Sequence, residues 1–175
     1  MMDAERWDVT DINGFPTGRT HYRGDADWTQ GDYHIVAATC VVRDDGKILI
    51  TQRHAAKEFG LAWEFPGGSA LEGESSRDAA ARELLEETGL TPAFDAFSHV
   101  GRHVEDSALV DLYLAHVATT QLRLDPVEIA NAAWVSLPDI EMRVKSGQFA
   151  DPWVERLTTL WEPLQFALLT EEDVR

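Results

Sequence analysis

The chain has 175 residues, with 31 acidic side chains against 15 Lys and Arg, a formal net charge of −16 and 44% hydrophobic residues. That length suits one domain with a sizeable core, and the charge argues against non-specific binding to nucleic acid or to anionic membranes. Any polyanionic ligand would be repelled unless cations bridged it or a local basic patch received it.

The first stretch is polar and turn-rich. "RWDVTDINGFPTGRT" reads as two short strands joined at Asn13-Gly14-Phe15-Pro16. The acidic start carries no apolar signal core. In "YHIVAATCVVRDDGKILITQR" two β-branched runs flank Asp45-Gly46, a hairpin signal. The single cysteine, Cys40, sits in the first of these runs and is expected to be buried. "LAWEFPGG" ends the region in a Pro-Gly-Gly break. A helix is predicted from about Ser75 to Thr88, with Ser75 and Asp78 as its capping pair and Gly89 at its left-handed end. "AFSHVGRHVEDSALVDLYLAHVA" reads as two strands around a Glu105-Asp106-Ser107 turn, and "NAAWVSLPDI" as a strand running into a short helix. The tail, "DPWVERLTTLWEPLQFALL", is an amphipathic helix broken or bent at Pro163. No stretch approaches the ~18 apolar residues of a spanning helix. A reducing, cytoplasmic setting is expected. Strands in the middle and helices at the end suggest an α+β fold, a mixed sheet packed between helices.

The helix after "PGG" is where chemistry concentrates. On a wheel of 100° per residue, Ala80, Ala81, Leu84, Leu85 and Thr88 fall on one side and Glu83, Glu86 and Glu87 on the other. Carboxylates three and four residues apart repel one another and oppose one another's ionisation. A hard divalent cation reverses both penalties, and carboxylate oxygens suit Mg2+, which keeps waters and takes further ligands from phosphates. A solvated acidic face is the alternative for the glutamates alone. The surrounding spacing narrows the choice: Gly68, Glu74, Arg82-Glu83-Leu84, Glu86-Glu87 and Gly89-Leu90 fit G-x5-E-x7-R-E-U-x-E-E-x-G-U, where U is a bulky aliphatic residue.

This stretch resembles the signature box of the Nudix hydrolases, without departure at any fixed position. The resemblance implies a Nudix fold (an α/β/α sandwich) over 1–175. About 1–30 would be an N-terminal β-hairpin extension and about 150–175 a C-terminal helical segment. It implies cleavage of a diphosphate linkage in a nucleoside diphosphate derivative or similar compound, with Mg2+ or Mn2+ as cofactor. Carried over by position, Glu83 and Glu87 resemble the principal metal ligands, and Glu86 a further ligand or the base that activates water. Arg82 resembles the arginine that orients the glutamates. Gly67 and Gly68 resemble the tight loop whose backbone carbonyl reaches a metal, and Glu74 a support of that loop. Glu128, six residues before Trp134, is placed where many members carry an additional acidic residue, with Glu105 and Asp106 as competitors.

Arg53, His54 and Lys57 form a local basic group after a strand, read either as a phosphate clamp, with Arg53 the choice for it, or as solvated loop charge. Trp63 and Phe65 could line the substrate pocket or stack on a base, with core packing as the competing role. "DINGFPTGRTHYRG" with "GDYHIVAATCVV" is similar to the N-terminal part of isopentenyl-diphosphate isomerase and its hydrolase relatives. The isomerase pattern needs a pocket cysteine after Trp63 and a histidine pair. This sequence has "EFPGGSA" there, and while His34 fits one histidine of the pair, the earlier partner position holds Asp27. Hydrolysis is therefore favoured over isomerisation, and over a non-catalytic nucleotide sensor, which would be expected to lose box glutamates. A small-molecule diphosphate is the expected partner. Homodimers are common in the family, so the Trp-rich tail is left open to packing within the chain or across such an interface.

Overall fold

The computed structural model describes residues 5–26, 28–118 and 121–172. The N-terminal segment is an antiparallel pair, β1 (Arg6–Thr10) and β2 (Pro16–Tyr22). The main sheet comprises β3 (His34–Arg43), β4 (Ile48–Arg53), β5 (Trp63–Glu64), β6 (Gly67–Ser69), β7 (Ser98–Val104), β8 (Ala108–Val117) and β9 (Ile129–Val135). Its order is β5-β4-β3-β8-β7, with β6 also on β3 and β9 also on β4. β3 and β8 run parallel over ten residue pairs, from His34↔Ala108 to Arg43↔Val117, while the neighbouring pairings are antiparallel. The sheet is thus mixed, as the strand pattern predicts.

Helices α1 (Ser76–Thr88), α2 (Leu137–Lys145) and α3 (Asp151–Glu172) complete the fold. Strand alternation divides the core between the two faces. Ala38, Cys40 and Val42 of β3 join Trp153, Leu157, Leu160 and Leu164 of α3 in one cluster. Ala37 and Val41 join Ala80 and Leu84 of α1 in the other. Among the described residues no helix is long and apolar enough to cross a membrane.

Three local expectations are corrected. "PGG" is no break: Gly67 and Gly68 continue as β6, pairing with Ala38 and Ala37. Only glycine fits at 67, where a Cβ would lie 2.3 Å from the Ala37 carbonyl oxygen. The tail helix does not break at Pro163 but runs through it. Leu160 and Leu164, both buried, hold the turns on either side of the proline to the same sheet face. On α1 the buried residues are Ala79, Ala80, Leu84, Glu87 and Thr88, whereas Leu85 is exposed. The core stripe is rotated towards Glu87 because α1 also packs against β6.

Candidate active site

The site is built on α1. Ser75 caps it: its hydroxyl accepts from the Asp78 amide at 3.2 Å while the Asp78 carboxylate accepts from the Ser75 amide at 3.3 Å. Gly89 closes it at φ 75°, a conformation that suits glycine. The first turn is fastened to the sheet by Asp111 of β8, buried in an otherwise apolar strand. Asp111 accepts from Ser76 at 2.6 Å and from Arg102 Nε and Nη2 at 2.7 Å each, and His99 Nε2 lies 3.1 Å away. Burial alone would raise its pKa, but these hydrogen bonds outweigh it and hold the carboxyl down at about 2.

Arg82 organises the next turns. It donates from Nε to Glu74 at 2.7 Å and from Nη2 to Glu74 and the Ser69 carbonyl, both at 3.0 Å. Its Nη1 donates to Glu83 at 2.7 Å and to Glu86 at 3.0 Å. The planar fork therefore joins the loop after β6 to two box glutamates. Burial opposes its charge, but Glu74 and Glu83 push its pKa further above the ordinary value. Glu74 also accepts from the Leu71 amide at 2.9 Å, closing the loop it supports.

The three glutamates sit in different surroundings. Glu86 is 56% exposed at its side chain and Glu83 only 16%. Glu83 lies against Gly68, where a Cβ would stand 2.6 Å from its carboxyl carbon. Burial pushes the Glu83 carboxyl up despite Arg82 beside it. Glu87 is buried and accepts a hydrogen bond from the Gly67 amide at 3.2 Å. Burial first, then the nearby Glu64 and Glu83 carboxylates, raise its pKa well above the ordinary value.

Glu64, which the sequence reading passes over, belongs to the same group. It is 9% exposed and takes Arg53 Nη1 on both oxygens, at 2.8 and 3.1 Å. Burial raises its pKa against the pull of Arg53 and Lys57. The available signal was its place between Trp63 and Phe65: in a strand, the residue between two core aromatics faces the other way.

The remaining predicted residues divide. Arg53 reaches the site but is engaged with Glu64 and with the Glu58 carbonyl, the latter at 2.7 Å. Lys57 pairs with Glu128, so the Glu128 carboxylate is directed to that amine. Glu105 pairs with Arg156 at 2.6 Å. Phe65 forms an apolar wall, edge-on to Trp153 with ring centres 5.0 Å apart. Trp63 packs into the α3-side core beneath the Arg143 guanidinium, which lies 4.9 Å from its ring centre. It does not line the cavity formed by Phe65, Arg53, Glu64 and Gly67–Ser69, a space of about 470 Å3. Another cavity, of about 360 Å3 between the β3–β4 turn and the end of α3, contains no box residue. His34 stacks on Trp7 with ring centres 4.3 Å apart, and Cys40 is buried in the core; Asp27 falls outside the described residues.

Among the described residues no three acidic, histidine or cysteine side chains already converge as a cation cage. The donor set nonetheless fits a hard cation. Glu87 is a buried carboxylate with carboxylate neighbours that accepts from the Gly67 amide, and Glu83 lies against the adjacent Gly68.

A sheet between helices, with this glutamate helix laid against β6, is the architecture of the Nudix fold. A crystal structure from Deinococcus radiodurans superposes with a TM-score of 0.74 at 20% identity, covering 90% of this chain and 99% of that one. The NUDIX domain profile matches residues 32–157. An uncharacterized Nudix hydrolase of Listeria monocytogenes is 34% identical over 152 residues, 83% of this chain and 88% of its own. An isopentenyl-diphosphate Delta-isomerase of Brevibacterium linens is 27% identical over 89% of this chain and 91% of its own. The chain belongs to the Nudix hydrolase family, a family of enzymes that act on diphosphate bonds.

Proposed function

We propose that this protein hydrolyses the phosphoanhydride of a nucleoside diphosphate derivative or a similar small organic diphosphate, using Mg2+ or Mn2+. The observation that carries the reading is Glu87. It is a buried carboxylate among carboxylates, a costly arrangement without a cation to receive its charge. Glu83, Glu87, Glu86 and the Gly68 backbone are the groups that would hold the metal. A divalent ion there would offset the phosphate and glutamate charges and make water easier to deprotonate.

The chain's own residues supply the rest. Arg82 holds Glu83 and Glu86 in place through one nitrogen and the Ser69 end of β6 through another. Glu86, the most exposed of the three, would take the proton of the attacking water. Arg53 fixes Glu64 and presents its guanidinium to the cavity that would receive the phosphates. Phe65 shields one side of that cavity from water.

A panel of organic diphosphates, assayed with Mg2+ and with Mn2+ in 18O water, tests the reading. Metal-dependent release of 18O-labelled phosphate or monophosphate product is expected, with loss of activity in both Glu86→Gln and Glu87→Gln. Full activity in both variants would refute the assignment. Conversion of isopentenyl diphosphate without phosphate release would instead identify an isomerase. Ligand-dependent thermal stabilisation without turnover would identify a sensor.

A further inference from the structure

The cavity beside Glu64 gathers guanidinium groups from separate parts of the chain. Arg53 comes from the end of β4, Arg156 from α3, and Arg23 from the turn that follows β2. In a chain with only 15 Lys and Arg against 31 acidic residues, a cavity lined by three arginines and two acids, Glu58 and Glu64, runs against the overall charge. Lys57 stands near enough for Arg53 and Arg23 to add to the burial that lowers its pKa.

Each arginine is steadied by a carboxylate without being used up by it. Arg23 donates from Nη1 to Glu5 at 3.0 Å, and Arg156 from Nε to Glu105 at 2.6 Å; neither acid lines the cavity. Arg53 spends Nε and Nη1 on Glu58 and Glu64. The other side-chain nitrogens of these forks make no hydrogen bond among the described residues. The apolar part of the wall includes Phe65, Trp153 and Ala38, and the first turn of α3 adds the positive end of a 22-residue helix. Guanidinium forks suit phosphate, which they can grip through two oxygens at once. The box glutamates lie against Gly67 and Gly68, and those glycines also line this cavity, so a diphosphate could span the two.

We infer that this cavity binds the phosphate group of the substrate that the box does not hold, and that Arg23, from the N-terminal hairpin segment, is a substrate-binding residue acting together with Arg156. This rests on the hydrolase reading for its substrate but not for its ligand chemistry. Arg23 lies outside the residues 32–157 that match the NUDIX profile, so the N-terminal segment contributes to the site a group that the profile does not include.

The test separates anion binding from catalysis. Calorimetric titration with inorganic pyrophosphate, with EDTA present, should show binding by the wild-type protein. Arg23→Ala and Arg156→Gln should each weaken it about tenfold, as expected for loss of one charge-assisted phosphate contact. Lys145→Ala, an equal change of charge at an exposed site on α2, should leave binding unchanged. With a substrate that is turned over, Arg23→Ala should raise KM about tenfold at unchanged kcat and leave the melting temperature unchanged. Four results would each overturn the inference: no metal-free pyrophosphate binding, binding indifferent to Arg23 and Arg156, equal weakening in Lys145→Ala, or an unchanged KM in Arg23→Ala. Arginine-dependent binding by a protein that hydrolyses no diphosphate would sink the hydrolase reading and leave this site standing.

Discussion

Glu87→Gln should move stability and activity in opposite directions. The wild-type carboxyl is 6% exposed, receives one hydrogen bond from Gly67 at 3.2 Å and feels Glu64 and Glu83 nearby. Without a cation, folding must either bury a poorly compensated charge or keep the acid protonated at neutral pH. Glutamine has the same shape and no charge, and its amide oxygen can still accept from Gly67. An under-satisfied buried group costs about 1–3 kcal/mol, more when charged. For a domain of this size that corresponds to a rise of about 3–10 °C in the melting temperature of the metal-free variant. Titrating Mg2+ or Mn2+ should then stabilise the wild-type protein much more than the variant, whose hydrolysis should be lost. The measurement is differential scanning fluorimetry with EDTA and with a metal series, beside the phosphate-release assay. A metal-free melting temperature below that of the wild type, or an undiminished metal-induced rise, would show that Glu87 is not waiting for a cation.

The two glycines of β6 should separate fold from chemistry. Gly67→Ala drives a Cβ into the Ala37 carbonyl and within 2.6 Å of Ala38 Cα, so about 1–3 kcal/mol should be lost in chemical denaturation. Gly68→Ala meets only the movable Glu83 carboxyl, and should lower activity with little change in denaturation midpoint. Asp111→Asn should cost about 2–3 kcal/mol by leaving Arg102 poorly paired at the start of α1. Because folding lowers the Asp111 pKa from 3.8 to about 2, its contribution of about 2 kcal/mol is present above pH 4. It fades as pH falls towards 2, and acid titration of the wild type against Asp111→Asn should show that difference. Arg53→Ala should cost about 3 kcal/mol by leaving Glu64 buried and unpaired, so its effect on catalysis must be read beside its melting curve.

What could be read in the sequence was what depends on neighbours along the chain. The Ser75 cap, the Gly89 terminus, the Asp45-Gly46 hairpin and the spacing that places Arg82 among Glu74, Glu83 and Glu86 are all local, and the structure contains each. What escaped depends on contacts between distant segments. Pro163 predicts a break or bend in α3; the helix does not break there, because Leu160 and Leu164 bind both flanking turns to the sheet, and packing outweighs one missing hydrogen bond. A helical wheel grouped three glutamates as one face, yet the approach of β6 buries Glu87 and leaves Glu86 in solvent. Asp111 and Glu64 had visible signals, a lone acid in an apolar strand and an acid between two aromatics, but their partners Arg102, Ser76 and Arg53 could be identified only in the fold. The same holds for Arg23 and Arg156, which nothing in the sequence joins to Arg53, the residue chosen there as a phosphate clamp. Their convergence bears on the first difficulty the composition raised, how a chain of charge −16 would receive a polyanion. The net charge is spread over the whole surface and screened by salt, whereas three arginines lining one cavity act at short range on whatever enters it. In such a chain the local field decides which anions bind, so on the proposed function the arginines would draw the phosphate in and a metal held by the box glutamates would offset its charge.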